Sequence, residues 1–322
     1  MTLTIWQPTA TIESMAARAR LNQDIRDFFR KRDVLEVETP LLSHTTGTDV
    51  NLHPVSALYH AHPHADSTTM YLQTSPEFAM KRLLAAGTGP IFQLCKAFRN
   101  GESGSRHNTE FTMLEWYRPG FSLHQLMDEV EALLCSVLGT MTCRRVSYRQ
   151  LFLDYLAIDL LTCTTAELAT LVQQTIEVSG PIGNRDALLD LLYGHVIEPQ
   201  LQEPVFIFNY PASQAALARI TTDEAGEPVA LRFELVMQGM EIANGYDELV
   251  DANEQRKRFA ADQSTRAQNG TPIYDADQRL LAALEHGMPA CAGVALGVDR
   301  LLMLKTGARV IDKVLTFPHA RA

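Results

Sequence analysis

Residues 98–117, FRNGESGSRHNTEFTMLEWY, decide the fold together with the run IFQLCKAFR at 91–99 that leads into them. This run and the run EFTMLEWY at 110–117 are rich in aromatic and aliphatic residues that favour β-strands. A loop of Gly, Ser and Asn residues separates them. Two such strands joined by one polar loop predict an antiparallel hairpin with a long connection.

The side chains of this hairpin suggest a site for a phosphate-bearing ligand. Arg99 ends the first strand, and Arg106 and His107 lie just before the second. Guanidinium groups bind phosphate oxygens through paired hydrogen bonds. The two-residue period of a strand places four residues of the second strand on one face, namely Phe111, Met113, Glu115 and Tyr117. Such a face suits a pocket floor, and a surface hairpin with a charged rim is the open alternative.

A second hairpin is predicted over residues 232–251, RFELVMQGMEIANGYDELVD, with a tight turn at 238–239. In that register residue 234 lies opposite about residue 243, so Glu234 and Glu241 become diagonal neighbours on one face. Like charges this close are destabilising unless a cation lies between them. Mg²⁺ is the usual ion for a carboxylate pair that also holds phosphates. The alternative is a solvated acidic edge.

The same segment contains a third carboxylate, Glu248. The dipeptide Asn244-Gly245 is typical of a turn. Glu248 is therefore expected beyond that turn, with a role separate from the pair of Glu234 and Glu241.

The third segment is AGVALGVDRLLML at 292–304. Its glycines allow the backbone to approach a ligand closely before a helix that begins near Asp299. Arg300 lies in the first turn of that helix, where the helix dipole disfavours a cation. An arginine in that position usually has an anionic or aromatic partner. The alternative is a Gly-rich strand that packs on a neighbour, with Arg300 in an ordinary salt bridge.

Composition limits the class of protein. The chain has 322 residues and a formal net charge of −10, which argues against a broad basic face for nucleic acid. The sequence contains no apolar run as long as a membrane span and no secretion signal at its start. Five cysteines without a C-x-x-C pair favour reduced thiols over disulfides or a zinc site. We therefore expect a cytoplasmic globular protein.

Hydrophobic periodicity gives a coarse outline of the rest of the chain. It predicts an amphipathic helix over 11–32, a strand over 34–39 and a buried strand over 204–211. Residues 122–178 and 184–200 are predicted to be mainly helical. Strands that follow each other by hairpins, with helices interspersed, indicate an α+β domain built on an antiparallel sheet.

In this order and spacing the segments resemble the catalytic domain of class II aminoacyl-tRNA synthetases, in the lysyl branch. VLEVETP at 34–40 is similar to motif 1, residues 98–117 to motif 2 and GVALGVDRLLML at 293–304 to motif 3. EIANGYDEL at 241–249 is similar to the lysyl segment between motifs 2 and 3. The resemblance implies a six-stranded antiparallel sheet flanked by helices, in one domain over residues 1–322 with a helical insertion at about 122–200. It also implies a homodimer formed through motif 1.

Only 33 residues precede Val34, too few for the anticodon-binding barrel that lysyl-tRNA synthetases carry there. The chain therefore resembles the stand-alone paralogues that attach (R)-β-lysine to a lysine of translation elongation factor P. That resemblance implies an ATP- and Mg²⁺-dependent ligase that acts on neither tRNA nor membranes. Two alternatives stay open, a synthetase-like enzyme with another amine acceptor and a catalytically silent regulatory paralogue.

The resemblance also implies roles for individual residues. ATP would be bound by Arg99, Asn100, Gly101, His107, Asn108, Phe111, Glu241, Ile242, Gly297 and Arg300. The catalytic residues among them would be Arg99, Glu241 and Arg300, with Phe111 and Arg300 on the two faces of the adenine. Mg²⁺ would be bound by Glu234 and Glu241. The amino acid would be bound by Ser75, Pro76, Glu77, Glu115, Tyr117, Asn244, Glu248 and Ala295.

Three positions depart from the lysyl pattern. Gly101 stands where the family usually has Glu, so Glu102 is a candidate to supply the missing contact to ATP. Thr109 replaces a customary Pro. Ala295 stands where lysyl-tRNA synthetases have Gly, and its methyl group is expected to narrow the pocket against α-lysine.

Overall fold

The computed structural model describes residues 6–177 and 183–322. The first half of the chain forms α1 (Ile12–Arg30), β1 (Leu35–Glu36), β2 (Leu42–Ser43), β3 (Ser56–His60), β4 (Ser67–Leu72), α2 (Glu77–Ala85), β5 (Ile91–Phe98), β6 (Glu110–Pro119), α3 (Leu123–Leu138), β7 (Arg144–Ser147) and α4 (Tyr148–Leu156). The second half forms α5 (Thr165–Thr175), α6 (Arg185–Leu192), β8 (Val205–Pro211), β9 (Ile220–Thr222), β10 (Pro228–Met237), β11 (Met240–Asp247), α7 (Ala252–Gln268), α8 (Gln278–Gly287), β12 (Cys291–Gly297) and α9 (Val298–Thr306). Within the described ranges, no helix has the length and apolar character needed to cross a membrane.

The main sheet has the strand order β1-β5-β6-β12-β11-β10-β8-β7, and β9 pairs with β10. Six strands form an antiparallel centre in the order β5-β6-β12-β11-β10-β8. At the two edges β1 pairs in parallel with β5, and β7 pairs in parallel with β8. The prediction of an α+β fold on an antiparallel sheet is confirmed. The six strands implied by the resemblance are the antiparallel centre, and the count is corrected to nine because the short strands β1, β7 and β9 also pair with it. The strand predicted over 34–39 is shorter in the structure, where β1 covers only Leu35–Glu36.

One face of the sheet is covered by α1, α3 and α9, which form the largest apolar core. Phe29 of α1 packs between Phe92 and Trp116, with ring centroids 4.5 and 5.2 Å away. Thr11 caps the start of α1, and Ser122 forms a capping box at the start of α3. These caps satisfy free backbone N–H groups and fix where each helix begins.

The opposite face of the sheet is covered only at its two sides. On one side α2, α7 and α8 pack on the sheet around Met80, Tyr117 and Phe259. On the other side α4, α5 and α6 pack around Tyr148, Leu189 and Ile207. Helix α3 packs with the main core, so within 122–200 only the part after it builds this separate cluster. Residues 178–182 lie outside the described ranges. The centre of this face is left open.

The register of β10 and β11 differs by one residue from the predicted one. The turn residues Gln238 and Gly239 have φ of 52° and 61°, as a tight two-residue hairpin requires. Val236 lies opposite Glu241, but a β-bulge follows, so that Glu234 lies opposite Asn244 rather than residue 243. The diagonal relation of Glu234 and Glu241 is retained.

The predicted turn at Asn244-Gly245 is wrong, because β11 runs through both residues to Asp247. Gly245 lies opposite Phe233 in the ladder, and a Cβ atom at 245 would overlap the Phe233 ring. The glycine is therefore required for close packing on the core face rather than for a change of chain direction.

Candidate active site

A cavity of about 1600 Å³ lies over the open centre of the sheet. The first hairpin and its flanks contribute Arg99, His107, Asn108, Phe111, Glu115 and Tyr117. The second contributes Glu234, Glu241, Ile242, Asn244 and Glu248, and the third segment contributes Ala295, Gly297 and Arg300. Ser75, Pro76 and Glu77 line it from the start of α2. The structure thus brings the three segments together at one cavity.

Asn100 and Gly101 are the two predicted site residues that do not line this cavity. Asn100 is exposed, and its backbone N–H donates to the His53 carbonyl over 2.7 Å. Gly101 has φ of 84°, a left-handed conformation that favours glycine. The customary glutamate would be strained in this backbone conformation. Glu102 lines the cavity, and its carboxylate lies 3.9 Å from the Arg99 guanidinium.

Arg300 is held at the edge of the cavity by two neighbours. Its guanidinium donates to the Glu241 backbone carbonyl over 2.7 Å and lies 2.6 Å from Nε2 of His107. Burial and the Arg300 charge lower the pKa of His107. The imidazole is therefore neutral at physiological pH and accepts the hydrogen bond from Arg300.

The Arg99 guanidinium lies 5.2 Å from the centroid of the Phe111 ring, within the range of a cation–π contact. Arg106, predicted with Arg99 to form the anion site, instead donates to the backbone carbonyl of Gly239. It therefore ties the hairpin loop to the β10–β11 turn. The amide of Asn108 is likewise engaged, since it donates to the Glu110 carbonyl and accepts from the N–H of His319.

Asp299, which sequence reasoning did not select, positions the start of α9. Asp299 is 2% exposed, and its side chain accepts the N–H of Thr112 over 2.7 Å and pairs with Arg18. This carboxylate ties the first turn of α9, and hence Arg300, to strand β6. The signal for it in the sequence is an acid in the first turn of a helix, which is too common to indicate a site.

The other end of the cavity holds a buried acidic cluster. Glu115 accepts hydrogen bonds from the hydroxyls of Ser75, over 2.8 Å, and Tyr117, over 2.5 Å. Burial and the nearby charge of Glu77 raise the pKa of Glu115 to about 8. Glu248 completes the cluster at 2% exposure, and a Cβ atom on Gly293 would overlap its carboxylate.

Lys81 is the cation of this cluster and was missed by the sequence analysis. Its ammonium lies 2.6 Å from both Glu77 and Glu248, and its side chain is 1% exposed. Burial raises the pKa of Glu248, and the Lys81 ammonium opposes that shift. The available signal was a lysine four residues after Glu77 on the buried face of α2, beside Met80.

The carboxylate pair expected to bind Mg²⁺ has a cation beside it already. Arg232 donates to Glu234, and the hydroxyl of Tyr193 donates to the same carboxylate over 3.2 Å. The Glu241 side chain is 38% exposed and lies 3.6 Å from Arg300. Glu198, also missed by the sequence analysis, lies nearby, and its pKa is raised to about 7 by burial and by the Glu241 charge. Among the described residues, no group of three or more Asp, Glu, His or Cys side chains is arranged so that it could hold a metal ion.

Four adjacent strands present one row of side chains across the cavity floor. Glu115 pairs with Ala295, Ala295 with Asn244, and Asn244 with Glu234. Because paired residues share a face of the sheet, the row leads from the acidic cluster to the Arg232 pair. The methyl group of Ala295 lies between Glu115 and Asn244.

The sequence matches the family of class II tRNA synthetases (D, K and N) over residues 3–321. The chain belongs to this family. A relative from Pectobacterium carotovorum subsp. carotovorum (strain PC1) is 47% identical over 323 residues, which cover 99% of each chain. A relative from Pseudoalteromonas translucida (strain TAC 125) is 48% identical over 326 residues, all of both chains. Both are named elongation factor P–(R)-β-lysine ligase.

The class II synthetase family accounts for the architecture of the cavity. The antiparallel centre of the sheet carries the segments similar to motifs 2 and 3 on neighbouring strands, β6 and β12. The resemblance to class II synthetases is thereby confirmed. The family implies an ATP-dependent ligase. The cavity has cationic and aromatic groups at one end and carboxylates at the other.

Proposed function

We propose that this chain activates (R)-β-lysine with ATP and transfers it to a lysine side chain of translation elongation factor P. The names of its full-length relatives support this proposal. The observation that carries it is the buried cluster of Glu77, Glu115 and Glu248, which contains three carboxylates and only one lysine. A cluster with more acids than cations, whose buried acids ionise when further cations arrive, suits a substrate that brings two amino groups.

In the activation step an oxygen of the β-lysine carboxylate attacks the α-phosphorus of ATP. The new P–O bond forms as the bond to the β-phosphate oxygen breaks, which releases diphosphate and leaves the β-lysyl adenylate. We assign Arg99 to the α-phosphate and place the adenine between Phe111 and Arg300. Fixed guanidinium groups stabilise the charge that develops, so positioning and electrostatics supply the catalysis.

We propose that Mg²⁺ binds with ATP at Glu241, whose partly exposed carboxylate faces the cavity. One or two carboxylates together with substrate phosphates are an ordinary set of Mg²⁺ ligands. Glu234 stays the predicted second ligand, and it would have to loosen its contact with Arg232. The ion would neutralise charge on the phosphates.

In the transfer step the neutral amine of the acceptor lysine attacks the carbonyl carbon of the adenylate. A C–N bond forms, the C–O bond to AMP breaks, and the amine releases a proton. We place this reaction in the cytoplasm, without tRNA. We also propose a homodimer through motif 1, because Leu35 in that segment is a large apolar side chain that is 55% exposed.

The direct test is incubation of the protein with ATP, Mg²⁺, (R)-β-lysine and elongation factor P, followed by the intact mass of the factor. We expect a mass increase of one lysyl residue. β-Lysine-dependent pyrophosphate exchange without any change of the factor would indicate another amine acceptor. A protein with no exchange activity would be a silent paralogue.

A further inference from the structure

The cavity has a second compartment, beyond Glu234 and away from the acidic cluster. We call it the tyrosine compartment and define it by Tyr148, Tyr193, Tyr210, Asp186 and Asp190, all of which line the cavity. Three elements, α4, β8 and α6 with the turn that follows it, supply these residues. The roles assigned to the three motifs leave this compartment unused.

The walls of the tyrosine compartment are aromatic. The Tyr148 ring lies 4.7 Å from the Tyr210 ring and 5.8 Å from the Tyr193 ring, measured between centroids. Tyr148 is 1% exposed, and its hydroxyl has no hydrogen-bond partner among the described residues. A buried hydroxyl without a partner is costly. It is therefore a group available to a ligand that enters the compartment.

The rim of the tyrosine compartment is acidic. Asp186 and Asp190 lie one helical turn apart on α6, and they accept hydrogen bonds from Ser213 over 2.7 Å and Gln214 over 2.8 Å. Both donors are neutral, and the Arg232 guanidinium, whose charge acts on Asp190, is itself paired with Glu234. Asp190 and Ser213 are exposed, so the rim is open to solvent.

The charge of the compartment selects the class of ligand. Asp186, Asp190 and Glu234 supply three carboxylates, and Arg232, the one guanidinium among them, is already paired with Glu234. A phosphate or carboxylate group would be repelled, whereas a long side chain that ends in an ammonium would be attracted to the rim and to the tyrosine faces. The amino groups of β-lysine are assigned to the cluster of Glu115. This residue lies three strand spacings, or about 14 Å, from Glu234.

We propose that the tyrosine compartment is the entry channel for the acceptor lysine, which passes Asp190 and Asp186 and then lies along the tyrosine rings towards the adenylate. This inference rests on the proposed function, because it assigns a path to the second substrate of that reaction. The partner is thus a protein that presents one exposed lysine on a protruding segment.

Asp190→Asn is the single-site test, with the Asp186→Asn/Asp190→Asn pair as the stronger variant. The KM for elongation factor P should rise about fivefold in the single variant and roughly twentyfold in the double variant, as for the loss of one and two partly exposed charge contacts. The KM values for ATP and β-lysine, measured by pyrophosphate exchange, should stay the same. Asp154→Asn on the solvent side of α4 is the matched control. It should change none of these three KM values.

The outcomes separate this inference from the proposed function. Wild-type exchange without transfer to the factor would contradict the proposed function itself. Wild-type transfer together with an unchanged KM for the factor in the double variant would overturn the channel alone. An equal loss of exchange and transfer would also overturn it, because it would place the aspartates in the activation site or in the folded structure.

Discussion

The ammonium of Lys81 lies 2.6 Å from the carboxylate of Glu248, and both side chains are 1% exposed. The same ammonium contacts Glu77 on the neighbouring turn of α2. A buried ion pair is stabilising only while both partners are present, since loss of one leaves an uncompensated charge. Lys81 is thus a structural counter-ion in the cluster assigned to the substrate amines.

Lys81→Met is expected to lower the free energy of unfolding by about 3–5 kcal/mol, because it leaves Glu77 and Glu248 without their cation. Denaturant unfolding measures this change. Lys257→Met is the matched control, since the Lys257 side chain is 78% exposed, and it should change the unfolding free energy by less than about 0.5 kcal/mol. Equal effects of the two substitutions would contradict the assignment of Lys81 as the cluster's counter-ion.

The raised pKa of Glu115 predicts a pH dependence of stability. Its pKa is about 8 in the folded protein against 4.5 when unperturbed. Between these values the folded state binds a proton that the unfolded state lacks, so stability falls as pH rises through this window. We expect the melting temperature of the free protein to fall from pH 6 to pH 8.5. Glu115→Gln should remove part of that slope, and a slope identical to wild type would contradict the prediction.

The same group predicts proton release when the substrate binds. An ammonium placed beside Glu115 favours the ionised carboxylate and lowers its pKa. Binding of β-lysine near pH 7 should therefore release a proton, and calorimetry in two buffers with different ionisation enthalpies measures it. Proton uptake, or no exchange of protons at all, would argue that the substrate amine lies elsewhere.

Much of the fold could be predicted because the central elements are long and regular. The hairpin of β5 and β6, the strand β8 and the helix α1 each follow one hydrophobic period over several residues. The strands β7 and β9 have four and three residues, which is too short for any period to appear, and β1 keeps only two of the residues predicted for it. Helix α8 was not predicted, although Asp277 caps its start.

The β-bulge opposite Leu235 and Val236 is the feature that sequence patterns could not provide. In a regular ladder Asn244 would face the core, since residues 241 and 243 would share a face with Glu234. The extra residue in β11 reverses the phase, so that Asn244 and Glu241 both face the cavity. Resemblance to the family suggested Asn244 as a site residue, and the bulge is the physical reason that it can reach the site.

Arg266 is a fully buried guanidinium whose partners are backbone carbonyls. It donates to the carbonyls of Thr48, Leu52 and Pro272, and it lies 4.7 Å from the Tyr274 ring centroid. Its bonds hold the segment 43–52, which lines the cavity. Arginine is suited to this role because its planar group offers five donors.

Arg266→Met is expected to destabilise the protein by about 3 kcal/mol, since several buried carbonyls lose charged donors. Amide exchange in residues 43–52 should become faster, and hydrogen-exchange mass spectrometry measures that rate. Arg256→Met is the matched control on the same helix, where the side chain is 48% exposed and paired with Glu285. If both variants exchanged alike in this segment, the role of Arg266 would be excluded.

Ala295→Gly is expected to increase the activation of α-lysine. The Ala295 methyl group stands between Glu115 and Asn244 on the cavity floor, where we propose that the amino acid binds. Its removal widens the pocket for an amino group on the α-carbon, at a stability cost of about 0.5–1 kcal/mol for glycine in a strand. Pyrophosphate exchange with α-lysine and with β-lysine measures the ratio of the two activities.

Ala292→Gly is the control for this prediction, because Ala292 lies on the same strand but packs in the core on the opposite face. It should carry a similar stability cost and leave the preference between the two lysines unchanged. If the Ala295→Gly variant activates α-lysine no better than Ala292→Gly does, the methyl group does not set the specificity. The preference for β-lysine would then have to come from the placement of Glu115 and Glu248.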